Sequence, residues 1–337
     1  MSSHRKEEAP YADIATIGIP RALMYHRYAP AWTAFFEALG RTVVISRPTD
    51  LSMLERGSAL SVDECCLASK AYMGHVESLI GACDAVFVPS LANLGRFRGF
   101  CTKYQALPDL VRNTFAETPL RIVSCAVETQ ETGTAMKDAF VELGMRFGAS
   151  AGEAKAAFKA GQQALEDADA RAHADLESAL RTVEKARKHA ARSDAETEPL
   201  AILVAAHPYV ACDPIIGGPV VDTLRAMGVS VLFAHDFDHA RAYKASKEFS
   251  STMPWIVNRE LIGAILCLHE RIDGIVLVSA FPCGPDSMTN DAIARRIAGK
   301  PMLCLTVDAQ SATAGLETRV ESFVDILRYR RKGGYLR

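Results

Sequence analysis

Nine cysteines are spread over the 337 residues, yet no two form a Cys-x-x-Cys pair, so zinc fingers, zinc ribbons and thioredoxin-like dithiols lack their signature. Also missing are the Gly-x-x-x-x-Gly-Lys-Ser/Thr loop and the Gly-x-Gly-x-x-Gly turn that cradle nucleotide phosphates. The chain offers no recognisable ATP or dinucleotide site of its own. Charge of one sign is lacking too: 38 Lys plus Arg against 40 Asp plus Glu give a net charge of -2, without the basic field of a nucleic-acid binder. No apolar run approaches the roughly 18 residues of a membrane span, and the opening MSSHRKEEAPYADIATIGI has no apolar signal core. These absences predict a cytoplasmic protein with no nucleic-acid or membrane partner, its odd number of cysteines kept as thiols.

What is present is a recurrent strand pattern. Nearly continuous apolar runs stand at 14–19, 42–46, 85–90 and 120–125, and again at 200–206, 229–234, 274–280 and 301–307. Such runs read as strands of a parallel sheet covered on both faces. Helical periodicity lies between them, at 29–39, 67–80, 216–227 and 255–269, so the fold class is α/β with doubly wound, Rossmann-like sheets.

Landmarks repeat between the two sets. Pro20 precedes Gly40 by twenty residues and Pro208 precedes Gly228 by twenty; Asp84 then follows Gly40 by 44, and Asp273 follows Gly228 by 45. Two related α/β halves facing a central cleft are expected, with ligands beyond the carboxyl ends of the strands. The expected organisation is a flexible tail over 1–13, a first half over 14–150, a helical connector over 151–198 and a second half over 199–337. The connector is rich in Ala, Glu, Lys and Arg, with a sparse apolar stripe through Phe158, Leu165, Leu176, Leu180 and Val183 that predicts a packed surface helix.

Three cysteines fall beyond strand ends: Cys66 before a helix, Cys101 across the loop after 85–90, and Cys283 in the turn after 274–280. By the repeat, Pro254 is the second-half counterpart of Cys66. Three soft ligands without a local chelate suit an iron–sulfur cluster better than zinc, and a cubane held by three thiolates leaves one iron without a cysteine. Cys83, Cys125, Cys267 and Cys304 read as small buried hydrophobes, while Cys65 and Cys212 are ambiguous.

The segments IGIPRALMYHRYAPAWTAFFEALG, DECCLASKAYMGHV, FCTKYQALPDL, HPYVACDPIIGGPVVDTLRAMGV, FPCGPDSM and AGLETRVESFVD together resemble the 2-hydroxyacyl-CoA dehydratase and benzoyl-CoA reductase superfamily. Within it they are most similar to the short acyl-CoA dehydratase activase-related proteins. The resemblance implies a [4Fe-4S] cluster on Cys66, Cys101 and Cys283, a homodimer or a dimer with a related subunit, and an acyl-CoA as substrate. It also implies an ATP-dependent iron–sulfur activator as electron donor. Two departures stand out: Thr102 follows the second cysteine where the family has Pro, and Asp308-Ala309-Gln310 replaces the usual Asp-Glu-His.

Other polar groups complete the expected site. Lys70, one helical turn from Cys66, and Arg98 and Lys103 around Cys101 are candidates for binding an anionic cluster or a CoA phosphate, with Glu64 and Arg96 beside them. His207 and Arg21, which follow the first strands of the two halves, are the candidate catalytic residues. His75 reads as structural, and Asp286-Ser287 as a helix cap. Three functions compete: a [4Fe-4S] dehydratase-type enzyme; an [8Fe-9S] double-cubane reductase recruiting Cys65, Cys125 or Cys212; and a cluster-holding electron carrier with no substrate, which Ala309 favours.

Overall fold

The computed structural model describes residues 9–193, 199–309 and 313–331. The tail expected over 1–13 falls outside that range up to residue 8. Beyond it the chain is held, with Tyr11 N–H donating to the Arg146 carbonyl at 3.0 Å and Asp13 paired with Arg121. The chain divides into two compact units. Unit 1 comprises 1–65, 69–168 and 252–256; unit 2 comprises 66–68, 169–251 and 257–337.

The strands are β1 (Thr16–Ile19), β2 (Thr42–Ile45), β3 (Ala85–Phe87), β4 (Ser90–Asn93), β5 (Ile122–Val123), β6 (Ala126–Glu128), β7 (Ala201–Ala205), β8 (Ser230–Phe233), β9 (Gly274–Ala280) and β10 (Met302–Val307). Unit 1 holds a parallel sheet in the order β2-β1-β3-β5, and unit 2 a parallel sheet in the order β10-β9-β7-β8. Both therefore share one topology, with strand order reversing beside β1 in one and beside β7 in the other. All eight apolar runs are strands. The pair β4-β6, parallel and separate, was not foreseen because each continues a run already assigned to the main sheet.

Burial follows strand position. The central β7 and β9 are buried throughout, whereas the edge strands each expose two residues, Thr42 and Ile45 in β2 and Cys304 and Thr306 in β10. The reading of Cys304 as a buried hydrophobe is thereby corrected: a sheet edge covers only part of each side chain. Of the other three, Cys125 is buried, while Cys83, whose Sγ a Cβ on Gly18 would meet at 2.5 Å, and Cys267 are only half-buried.

The repeated landmarks have physical roles. Gly40 (φ +71°) and Gly228 (φ +72°) each end a helix in the left-handed region that glycine enters without strain, and each is followed by the same backbone pattern, Arg41 N–H to the Phe36 carbonyl and Val229 N–H to that of Leu224. Asp84 accepts the N–H groups of Ala15 and Thr16 at 2.9 and 2.8 Å, and Asp273 accepts that of Ala201 at 2.7 Å. Each carboxylate so pins the start of its central strand.

The two cores differ in substance. Unit 1 is built on ring contacts, with Phe87 meeting Trp32, Phe36 and Phe140 at centroid distances of 5.3, 5.0 and 6.1 Å. Unit 2 is aliphatic, with Ile202, Leu203, Ile275, Leu277, Ile262 and Val324 buried. One helix, Ala151–Ser193, belongs to both. Its Ala154, Ala157 and Phe158 are buried in unit 1, and its Leu176, Leu180 and Val183 in unit 2, where Glu177 and Glu184 grip Arg271. No helix among the described residues is long and apolar enough to cross a membrane.

Candidate functional site

Ligands of open parallel sheets collect where strand order reverses. In unit 2 that crevice lies between the ends of β7 and β9. His207 follows β7 and starts the helix Pro208–Ala211; Cys283 follows β9 and starts the helix Gly284–Arg296. Both helices carry Pro in the first turn, where its missing N–H costs nothing.

Asp286 joins the two strand ends. Its carboxylate lies 2.9 Å from His207 Nδ1 and accepts the Asn258 side-chain N–H at 3.0 Å, all three residues being buried. Burial works to raise the Asp286 pKa, but the charge and hydrogen bonds of His207, with Asn258 and Cys283 adding theirs, outweigh it and hold the carboxyl below its ordinary range. His207 in turn stacks on Tyr209, centroids 4.9 Å apart. Asp286 is thus not the helix cap expected of it, and the neighbouring Ser287 instead donates to the Cys283 carbonyl.

Cys66 reaches Cys283 through a short exchange of chain. Residues 66–68 belong to unit 2, and Leu67 N–H donates to the Phe281 carbonyl at 2.8 Å. This sets the first turn of the helix Leu67–Ser78 beside the end of β9. Burial pushes the Cys283 thiol well above its usual pKa, and the Asp286 carboxylate and the nearby Cys66 push it further. The reciprocal exchange occurs in unit 1: residues 252–256 belong to it, Gly99 N–H donates to the Pro254 carbonyl at 2.8 Å, and Ile256 N–H donates to the Gly99 carbonyl at 2.9 Å. Cys101 follows directly, at the start of the short helix Thr102–Gln105. There the incoming segment carries Pro254 where the other carries Cys66, so one docked strand end has two thiols and the other one.

Among the described residues no three His, Cys, Asp or Glu side chains gather as a metal-holding group. The structure brings together Cys66 and Cys283, and places Cys101 in the other unit. Lys103 donates to Cys65 Sγ at 3.2 Å; Lys70 is half-buried and Arg98 exposed. Arg21 follows β1 and is half-buried, its N–H bonded to Ser46 Oγ at 2.8 Å. His75 is structural as expected, held between Ser46 and Thr49 at 2.8 and 3.0 Å.

Sequence reasoning missed the role of Asp286 and did not name Asn258. The signal for the latter is Asn258-Arg259-Glu260, three polar residues within the otherwise apolar helix Ile256–Leu268. Each is buried against a polar partner, Asn258 on Asp286, Arg259 on the carbonyls of Ser250 and Ser251, and Glu260 near His239.

Two parallel-sheet units, with thiols at their strand ends and a buried His–Asp pair in unit 2, define the class: an α/β protein with Rossmann-like parallel sheets. The chain belongs to the family described as the CoA enzyme activase uncharacterised domain, whose profile matches residues 16–236, well over half of it. That span includes Cys66, Cys101 and His207, while Cys283 and Asp286 lie beyond it. No curated protein matches the chain.

Proposed function

We propose that the protein is an iron–sulfur protein of the 2-hydroxyacyl-CoA dehydratase type, in which Cys66, Cys101 and Cys283 hold a [4Fe-4S] cluster. In this reading it works as a dimer in the cytoplasm and receives low-potential electrons from an ATP-dependent iron–sulfur activator. When bound, the cluster would supply single-electron reduction and, at an iron without cysteine, a Lewis acid for an acyl-CoA oxygen.

The observation that carries the reading is the approach of Cys66 to Cys283, achieved by threading residues 66–68 into unit 2. Two half-buried thiols set near one another would repel as thiolates unless a cation lay between them. Each also begins a helix, where free N–H groups favour sulfur carrying negative charge. The donor chemistry therefore fits such a group. His207 and Asp286 lie at the same crevice, where the carboxylate fixes the imidazole tautomer and leaves Nε2 to give or take a proton. Lys70, Arg98 and Lys103 would offset the charge of the cluster or of a CoA phosphate.

The test is iron, sulfide and electron paramagnetic resonance on anaerobically purified protein, before and after activator and ATP. About four irons per chain and a reducible signal, lost in Cys66→Ala and Cys283→Ala, support the proposal. Absence of iron under those conditions sinks it.

A second reading is favoured by Ala309, which stands exposed in the turn after β10 where the family pattern has an acid. A cluster-holding electron carrier needs no acid there. Reduced protein that passes electrons to a second protein without altering any acyl-CoA would select this reading. An [8Fe-9S] double cubane would need further thiols, and the Cys125 thiol is buried with its pKa pushed up to about 12.

A further inference from the structure

Of the nine cysteines two are exposed, Cys212 and Cys304, and their surroundings differ. Cys304 lies on the edge strand β10, where the charges acting on its thiol are those of Arg319 and Asp291. Cys212 faces an imidazole, its Sγ 3.5 Å from His235 Nε2.

The sheet of unit 2 sets this pair. Cys212 ends the helix Pro208–Ala211 that follows β7, and His235 lies in the short turn Ala234–Asp236 that follows β8. Because β7 and β8 are parallel neighbours, both residues come to the same carboxyl edge, while β9 and Cys283 lie on the other side of β7. The His235 ring is half-buried, lies against the Phe233 ring at a centroid distance of 5.3 Å, and has the Asp236 carboxylate 3.6 Å from Nε2. The backbone of Cys212 is held too: its N–H donates to the Pro208 carbonyl at 2.9 Å, and the buried Asp213 that follows accepts the N–H groups of Ile215 and Ile216 at 2.8 and 2.9 Å. An exposed thiol, a base within reach of it and neighbours that orient the base are the elements of an activated nucleophile.

We infer that Cys212 and His235 form a thiol-exchange site, at which the disulfide of a low-molecular-weight thiol converts Cys212 into a mixed disulfide. His235 Nε2 takes the thiol proton, Cys212 Sγ attacks one sulfur of the small disulfide, and a new S–S bond forms as the old one breaks. The leaving thiolate takes the proton back from the imidazolium, so the small molecule supplies the oxidising equivalent and departs as one thiol. Asp236 steadies the imidazolium while it lasts; burial raises its pKa to about 6, so the carboxylate is charged at neutral pH. Cys212 is not among the three thiols proposed to hold a cluster, and the inference stands apart from that reading. It does bear on the neighbouring crevice, since His207 begins the single helical turn that Cys212 ends, its carbonyl accepting the Ala211 N–H at 3.0 Å. A mixed disulfide at Cys212 places its bulk one turn from the buried His207–Asp286 pair.

The test exposes the full chain, purified anaerobically, to oxidised glutathione and follows each cysteine-containing peptide over time by mass spectrometry after an acid quench. Cys212 is expected to form the mixed disulfide at least about tenfold faster than Cys304, and dithiothreitol to reverse it. In His235→Asn, which removes the base, the Cys212 rate should fall at least about tenfold while the Cys304 rate keeps its wild-type value. In urea-unfolded wild type the preference for Cys212 should vanish. Equal rates at Cys212 and Cys304 in the folded wild type, a preference that survives urea, or an unchanged Cys212 rate in a folded His235→Asn protein would overturn the inference. Should His235→Asn fail to fold, which a changed Cys304 rate would reveal, the two wild-type measurements decide.

Discussion

The two units share strand order, capping glycines and strand-pinning aspartates, yet the side chains at their strand ends differ. The strand ends of unit 1 present Cys101, the half-buried Arg21 and histidines whose pKa values burial lowers; those of unit 2 present Cys66, Cys283 and a buried carboxylate beside His207. Topology fixes where a ligand binds, and a few side chains fix what binds. The reciprocal exchange of residues 66–68 and 252–256 shows how little sequence change that takes: the same docking delivers Cys66 to one strand end and Pro254 to the other.

The largest effect tests that contrast directly. Cys66→Ala or Cys283→Ala should take iron per chain from about four to near zero, whereas replacing the unit 1 counterpart, Pro254→Ala, should leave iron within error of wild type. Equal losses in all three, measured by iron analysis on anaerobic protein, would mean that unit 2 does not own the thiol pair. Next in size is Asp286→Ala. It strands His207 and Asn258 in a buried site, and loss of one partner of a buried charged network costs about 3–5 kcal/mol. Urea unfolding checks this, and Asp286→Asn should recover part of the loss because it still accepts one hydrogen bond.

The strands and the repeat were legible because a covered parallel strand must be apolar along its length, and because glycine at a helix end and aspartate before a strand each answer a backbone need. Cys66, Cys101 and Cys283 could be placed at strand ends for the same reason. The exchange of segments could not be read, since the bond from Leu67 to Phe281 joins backbone groups and leaves no mark in residue type. Asp286 was misread because Asp near a helix start usually caps; only its inward face, toward His207, shows otherwise. Arg21 reads as a catalytic group in the sequence, which does not show that it is half-buried after β1 with its backbone N–H on Ser46 Oγ.

Helix crossings sharpen the likeness between the units rather than the difference. In unit 1, a Cβ on Gly57 would stand 1.9 Å from the Lys70 carbonyl oxygen; in unit 2, one on Gly263 would stand 1.8 Å from that of Ala242. Both glycines let two helix backbones touch, Leu51–Ala59 on Leu67–Ser78 and His239–Phe249 on Ile256–Leu268. Gly57→Ala and Gly263→Ala should each cost about 3 kcal/mol, as overpacking against backbone leaves no flexible neighbour to yield. Comparable losses of urea midpoint would establish the shared crossing. A neutral substitution at either glycine would show that the crossing there is loose.

The smallest effect separates the units by pH. His75 in unit 1 has its pKa lowered to about 3 by burial and by nearby positive charge, so its neutral form favours folding. That contribution is present above the unfolded value of about 6.5 and is lost as pH falls from there toward 3. In unit 2, Asp236 has its pKa raised to about 6, chiefly by burial, with Asp175 and Asp169 adding to it against His239. Its charged form disfavours folding, so this penalty is present above pH 6 and is relieved as pH falls toward the unfolded value of about 4. Asp236→Asn should therefore stabilise the protein at pH 8 by about 1–2 kcal/mol, a figure reduced for the partial exposure of the side chain. At pH 4 the gain should vanish. Urea unfolding of wild type and Asp236→Asn at both pH values decides the matter: an equal gain at both would assign the effect to packing, and a gain confined to pH 8 to the buried charge.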